Sequence, residues 1–416
     1  MSQEIRLGVV GAWRGASFAA AAEHAGMKLV ALCDTWEARL QQVGERYPGV
    51  ALYRDYGDFL NHDMDAVALA NFFHEHAPFA AQALRAGKHV LSEVIACSTL
   101  AEGVALVRAV EESQRIYMMA ENYCYFSWNQ EMRRLYQQGE IGEVQFAECE
   151  YNHACSAKEL NQLAPGLTHW RNWLPATYYP THALGPIMYI TETRPVSVNA
   201  QAIARSLEDK ETGHVRRGDP GSCLLVRMDN GALVHVFGLG LRGMSIWYRL
   251  HGTRGLMESL RRHGQEHYLR IVHEPWDMKE GDERERIYPP DFPVHAEQAR
   301  RTGHAGGDFF TSSFFAEAIR SGVQPWLNVY RALDMSVVAM QAWRSCLDDG
   351  RPYEIPDFRS EAAREKYVED NWTPFPGKAR KPSDQAPPSI KGYNDPTGEQ
   401  IAAARADWAE MGYTGD

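Results

Sequence analysis

The residues able to move protons or hold an anion fall in a few short stretches. GKHVLSEVIAC (87–97) offers one carboxylate, Glu93, and its neighbours Val94 and Ile95 leave nothing else ionisable beside it. MMAENYCY (118–125) supplies Glu121 and Asn122, and ECEYNH (148–153) supplies Tyr151 and His153. HWRNW (169–173) and YYPTH (178–182) gather His169, Trp170, Arg171, Trp173, Tyr178, Tyr179 and His182. GHAGGDFF (303–310) adds His304 and Asp308. Trp and Tyr faces suit a sugar ring, while Arg and His suit hydroxyls or an anionic group. The tryptophans equally suit packing between domains, which is the commoner use of large aromatics. Asp308 precedes a helix and is also read as its N-cap.

The first third must position several of these groups. Apolar runs at 5–10, 28–33, 66–70, 88–91 and 116–120 alternate with amphipathic segments at 15–26, 37–47, 77–87 and 99–112. Continuous apolar strands alternating with helices predict a parallel, doubly wound sheet covered on both faces. Its first turn, GVVGAWRGAS (8–17), has Gly11 and Gly15, with Trp13 where a G-x-G-x-x-G pattern keeps its middle glycine and Arg14 beside it. Such a turn brings backbone N–H groups and a helix N-terminus to a pyrophosphate. Asp34 closes the second strand, where an acid binds ribose hydroxyls and repels a 2′-phosphate, so the expected cofactor is NAD. Asp34 also fits a cap for the helix from Trp36. The later strand ends deliver Asn71, Phe72, His74, His76, Glu93 and Asn122 to the same carboxyl edge, where ligands of open α/β sheets sit. His76 has an alternative reading as the cap of a helix near Pro78.

From Ile141 the pattern changes to alternating strands, with runs at 196–204, 222–229, 232–239, 246–251 and 268–273 and helices at 178–191, 308–320 and 329–347. This predicts an α+β domain with a large open mixed sheet. The expected division is 1–123 for the cofactor domain, 124–349 for the substrate and association domain, and 350–416 for a proline-rich extended tail ending in a helix.

Bulk composition excludes several classes. The chain has 416 residues and a net charge of −11 from 43 basic and 54 acidic residues without long blocks, which argues against a nucleic-acid or acidic-membrane partner. No run is long and apolar enough for a membrane span and no leader is read, so a cytoplasmic location is expected. Seven widely spaced cysteines without a CxxC pair read as reduced thiols. HEH (74–76) is the tightest histidine cluster, but no HExxH or other ligand spacing occurs and no metal is expected.

AGKHVLSE, the helix with His182 and HGTRG (251–255) resemble the Gfo/Idh/MocA oxidoreductases. The resemblance implies a Rossmann domain joined to an open-sheet domain, and a homo-oligomer, dimer or tetramer, associated through that sheet. It also exposes two departures: Val94 replaces the family's usual lysine, and Tyr178 replaces the aspartate four residues before His182. SEVIA, YMMAENYCY, ECEYNH, YYPTHALGP and GHAGGDFF are more closely similar to the family 109 glycoside hydrolases, redox-cycling glycosidases on the same fold. By that resemblance Glu121, Tyr151, His153, His182 and Tyr248 occupy active-site positions and His304 and Asp308 lie near substrate or cofactor, while Trp170, Arg171 and Tyr179 are expected on the substrate from their residue types. The implied reaction passes hydride from sugar C3 to NAD⁺, removes the acidified C2 proton, expels the C1 group, adds water and returns the hydride. His182 is assigned to the C3 hydroxyl and Tyr151 to C2, with Glu121 and His153 tuning them. The substrate is a small glycoside, of an amino sugar by resemblance, or of an anionic sugar if Arg171, Arg242 or Arg249 binds a charge instead of forming an ion pair. A dehydrogenase releasing NADH and a non-catalytic sensor are the competing readings.

Overall fold

The computed structural model of the chain describes residues 4–204 and 213–415. The first sheet contains β1 (Ile5–Val10), β2 (Met27–Cys33), β3 (Ala51–Tyr53), β4 (Ala66–Leu69), β5 (His89–Ser92) and β6 (Tyr117–Met119). All are parallel, in the order β3-β2-β1-β4-β5-β6. They are joined by α1 (Gly15–His24), α2 (Glu37–Gly44), α3 (Tyr56–Leu60), α4 (His76–Arg85) and α5 (Leu100–Ser113). Every residue of β4 is buried, which is why AVAL shows no polar alternation. Strand order reverses between β1 and β4, opening a crevice beyond their carboxyl ends. This is the doubly wound sheet that the apolar runs predict. β3 and α3 are additions, too short at three and five residues to show a periodicity.

The second sheet is built from β7 (Val144–Asn152), β8 (Pro195–Ile203), β9 (Gly221–Met228), β10 (Leu233–Leu239), β11 (Ser245–Gly252), β12 (Gly255–Ser259), β13 (Leu269–His273), β14 (Glu285–Tyr288) and β15 (Tyr353–Glu354). Its order is β14-β13-β12-β11-β7-β10-β9-β8-β15, and the parallel β7–β10 pair makes it mixed. The remaining helices are α6 (Ser127–Gln137), α7 (Ala157–Gln162), α8 (Thr181–Thr191), α9 (Ala296–Arg300), α10 (Gly307–Ser321), α11 (Val329–Leu347), α12 (Glu361–Glu365) and α13 (Gly398–Glu410). α11 packs on β8 of one sheet and on β6 and α5 of the other, so both sheets share one core.

α8, sequence THALGPIMYIT, carries no acidic or strongly basic residue and is buried along its whole length against β7, β11 and α6. Pro186 inside it has no N–H to give the carbonyl of His182, four residues back. The Tyr248 hydroxyl, from β11, donates to that carbonyl instead at 2.6 Å.

The proline-rich segment after α12 is not an extended linker. Phe375 is fully buried, its ring 5.0 Å from His74 and 6.1 Å from Phe73. Trp343 Nε1 donates to Pro387 O at 2.9 Å, and Arg344 binds both oxygens of Asp370. Composition reads such a run as loose, yet one buried Phe contributes about 1.5–3 kcal/mol. α13 then lies on α7 through Trp408 Nε1 and Asn161 O, 2.9 Å apart. Beyond α13, the Tyr413 ring stands edge-on to Trp36 at 5.5 Å, back against the first sheet's helix layer.

Candidate active site

A cleft of about 2090 Å³ separates the carboxyl edge of the first sheet from the end of β7 and the first turn of α8. On its first-sheet side, Gly11 has φ +92°, and a Cβ there would stand 2.3 Å from Ala70 O. A Cβ on Gly15, the first residue of α1, would lie 2.6 Å from Val9 Cγ1. The turn is therefore drawn tight between β1 and β4, with the α1 N-terminus facing the crevice. Trp13 lines the cleft, 42% exposed, with its ring 6.4 Å from that of Trp36. The Asp34 carboxylate accepts the Ala12 and Trp36 N–H groups, so it fixes the glycine turn and the start of α2 together. Burial pushes its pKa up, opposed by those two hydrogen bonds. Each oxygen keeps a lone pair for a ribose hydroxyl.

Asn71 Oδ1, Asn122 Oδ1 and His76 Nε2 are buried without a partner, and their residues line the cleft. Orphaned polar atoms in a crevice are groups that a bound ligand satisfies. The glycine cradle, the acid at the end of β2 and these orphans together fit a dinucleotide.

Three sequence expectations need revision here. His74 does not line the cleft; it lies under Phe375, where burial pushes its pKa down to about 3. His76 is the first residue of α4, not its cap, and its Nδ1 is 2.9 Å from Ile95 O. Arg14, expected beside the cofactor, lines the cleft with its guanidinium already paired: its Nε donates to Glu93 at 2.5 Å and its two terminal nitrogens to Asp308 at 2.9 and 2.7 Å. Asp308 sits inside the first turn of α10, whose cap is Gly306, and its side chain is 1% exposed. It also accepts from Asn122 Nδ2 at 2.9 Å and meets His304 Nδ1 at 2.9 Å. Burial would raise this carboxyl, but the bonds from Arg14 and His304 outweigh it and hold its pKa well below the usual range. Asp308 is thus a buried brace between α1 and α10 and presents no surface to substrate. His304 does line the cleft, as does Phe72, whose ring is 4.9 Å from His169.

On the opposite wall, the fully buried Glu121 holds His182, with Nδ1 2.8 and 3.0 Å from its two oxygens. That leaves Nε2 as the nitrogen available to the cleft. Tyr123 stacks on the imidazole at 4.1 Å and 13°; Tyr151 and Tyr179 meet it edge-on at 4.8 and 4.9 Å. Burial, reinforced by Tyr123 and Tyr179, pushes the Tyr151 phenol up, so it is protonated in the free protein. His153 is 5.9 Å from the Tyr151 ring, with Nδ1 3.1 Å from Cys155 Sγ. Burial, then Arg171, pushes its pKa down, so it is neutral at pH 7. Trp170 stacks on Phe73 at 4.7 Å and supports Arg171 at 4.3 Å. Tyr248 lies behind this group, fully buried on the His182 carbonyl, and does not reach the cleft.

Sequence reasoning missed Tyr123, although MMAENYCY carries it two residues after Glu121. It also missed Arg216 and Tyr413, which line the cleft. Of the arginines read as anion ligands, Arg171 and Arg242 line the cleft, whereas Arg249 pairs with Glu148 and Glu258 on the sheet.

The family model described as "Oxidoreductase family, NAD-binding Rossmann fold" matches residues 5–121. A second, "Glycosyl hydrolase 109, C-terminal domain", matches residues 130–365. Glycosyl hydrolase family 109 protein 1 of Shewanella sp. (strain MR-4) is 27% identical over 367 residues, covering 80% of each chain. The family 109 protein of Solibacter usitatus (strain Ellin6076) is 26% identical over 398 residues, covering 85% of this chain and 88% of its own. Among solved structures, a levoglucosan dehydrogenase in complex with NADH superposes with a TM-score of 0.74 at 19% identity, over 85% of this chain and 100% of that one. An oxidoreductase domain protein from Kribbella flavida gives 0.72 at 20% identity, over 86% and 100%. The chain belongs to glycosyl hydrolase family 109: an enzyme of the glycoside hydrolase type on an NAD-binding oxidoreductase fold.

Proposed function

We propose that this enzyme hydrolyses glycosides by transient oxidation at C3, elimination across C1–C2, hydration and re-reduction. The observation that carries the reading is the buried Glu121–His182 pair, enclosed by Tyr123, Tyr151 and Tyr179. No lysine lines the cleft among the described residues, and Glu93 is tied to Arg14. Neither a lysine-assisted dehydrogenation nor a two-carboxylate hydrolysis is supported by that inventory.

When bound, NAD supplies the hydride acceptor at C3 and returns the same hydride at the end. Glu121 holds the His182 ring through Nδ1, so Nε2 is the atom that accepts the C3 hydroxyl proton and later gives it back. Asn71, Asn122 and His76 offer their unpaired polar atoms to the cofactor's nicotinamide half, and Asp34 to its ribose. Tyr151 takes the C2 proton as a phenolate, and neutral His153 is the neighbouring acceptor for its phenolic proton. Burial opposes that ionisation, so the elimination step gains with rising pH until the phenol titrates.

Incubation with aryl glycosides carrying deuterium at C2 tests the route. Aglycone release with loss of the label to solvent and no net NADH is expected. Stoichiometric NADH would turn the reading to a dehydrogenase, and a Tyr151→Phe variant with full turnover would remove Tyr151 from C2.

A further inference from the structure

We propose that the cleft holds a subsite for a negatively charged substituent of the sugar, anchored by Arg171; this rests on the glycosidase reading above. Asp34, Asp55, Glu75 and Glu93 lie along the first-sheet edge of the cleft together with Arg14 and Arg54, which pair with Glu93 and Glu37, while Arg171, Arg216 and Arg242 belong to the second-sheet wall. Asp219 is the acid on that second wall, and it accepts bonds from Ser389 Oγ and the Ile390 N–H.

Arg171 differs from the other arginines around the active site. Of those lining the cleft, Arg14 and Arg54 each have a carboxylate within ion-pairing distance. Among the described residues the Arg171 guanidinium has none; it lies 4.3 Å over the Trp170 ring and 5.9 Å from that of Tyr179. The aromatic faces fix its plane and leave its edge donors for a planar or tetrahedral oxyanion. Trp170 is held in turn by Phe73, so the anchor rests on packed rings and not on a mobile loop tip. Tyr179 stands between Arg171 and the reacting groups, 4.9 Å from His182 and 5.9 Å from Tyr151. The Tyr179 ring thus neighbours both the anchor and the groups that move protons.

Its field is felt locally. After burial, Arg171 is the next largest influence keeping His153 and His169 unprotonated. A substrate oxyanion seated on Arg171 would offset that repulsion. An uncharged sugar would leave a half-buried cation without a counter-charge.

The test compares nitrophenyl hexosides that differ only at C6: hydroxymethyl, carboxylate or sulfonate, with an N-acetylhexosaminide alongside. The wild-type enzyme should favour at least one charged substrate in kcat/KM by roughly 10- to 150-fold, the range of one charge-assisted contact. The carboxylate and sulfonate arms say which oxyanion it takes. Arg171→Gln should collapse that ratio towards one, Arg171→Lys should retain part of it, and NAD affinity should hold. Equal turnover of neutral and charged hexosides by the wild type would overturn the subsite. So would a loss of NAD affinity in Arg171→Gln matching the loss in turnover, which would give Arg171 to the cofactor phosphates. Calorimetry with free hexuronate and 6-sulfohexose on the NAD-loaded enzyme separates this from the glycosidase reading. Anion binding that Arg171→Gln abolishes supports the subsite even when no glycoside is cleaved, a result that would fail the glycosidase reading alone. Absence of binding by both anions overturns the subsite.

Discussion

Changing Tyr248 to phenylalanine deletes a single oxygen from a fully buried ring. That oxygen is the donor to the His182 carbonyl, which Pro186 leaves without its helical partner. Water has no access there, so the carbonyl would stay unsatisfied, at about 1–3 kcal/mol. Tyr248→Phe should lower the unfolding free energy by that amount and loosen the first turn of α8, where His182 must keep Nδ1 on Glu121. Pro186→Ala puts an N–H back in line with the same carbonyl. In that background the Tyr248→Phe loss should shrink by about 1 kcal/mol or more, a coupling read from a double-mutant cycle in urea with NAD held constant. If the two changes add to within about 0.5 kcal/mol, the hydroxyl is not standing in for the missing helix bond.

Other perturbations reach different links of the chain. Glu121→Gln keeps shape but removes the charge behind His182, and should lower kcat about 10²–10⁴-fold with NAD affinity retained; a loss under about tenfold would relieve Glu121 of its orienting role. His74, held near pKa 3 by burial and then by Lys378 and His76, is unprotonated in the fold where the unfolded chain titrates at about 6.5. The unfolded state binds more protons between those values, so stability should fall as pH drops through that window, by at most about 1.4 kcal/mol per unit. His74→Gln should flatten this limb of a urea-unfolding series, and an unchanged slope would refute it. Tyr413→Ala, which removes the ring against Trp36 at the cofactor end of the cleft, should speed NAD release about 2- to 10-fold in a dialysis or fluorescence assay. Unaltered retention would mean the tail does not touch the cofactor.

How much of this was readable depended on range. The runs IRLGVV and AVAL announce buried parallel strands because the helices above them make every position apolar. The EYNH and YPTH motifs led to Tyr151, His153 and His182, which the fold brings to one wall. Contacts that close over long separations left no such mark. Arg14 reads only as a neighbour of the cofactor turn, and its pairing with Asp308, 294 residues away, shows only in the fold. Tyr248 reads as catalytic because nothing local shows that a proline on another element has freed a carbonyl. Phe375 sits among prolines and charges, and only the pocket formed by Phe73 and His74 reveals why it is buried.

The packed tail also bears on the order in which the enzyme comes into being. On a ribosome adding about 5–20 residues per second, roughly 300 residues separate the end of β6 from Tyr413, a delay of about 15–60 s. During that interval the first sheet can be complete while Trp36 and His74 still lack their covering rings. Asp34, the Gly11 turn, Asn71 and His76 are already in place in the nascent domain, and Tyr413 is the last lining residue of the cleft to emerge. A purification tag placed after Tyr413 would therefore sit beside the cofactor, whereas one before Ile5 would sit at the amino end of β1, at the opposite edge of the sheet from the cleft.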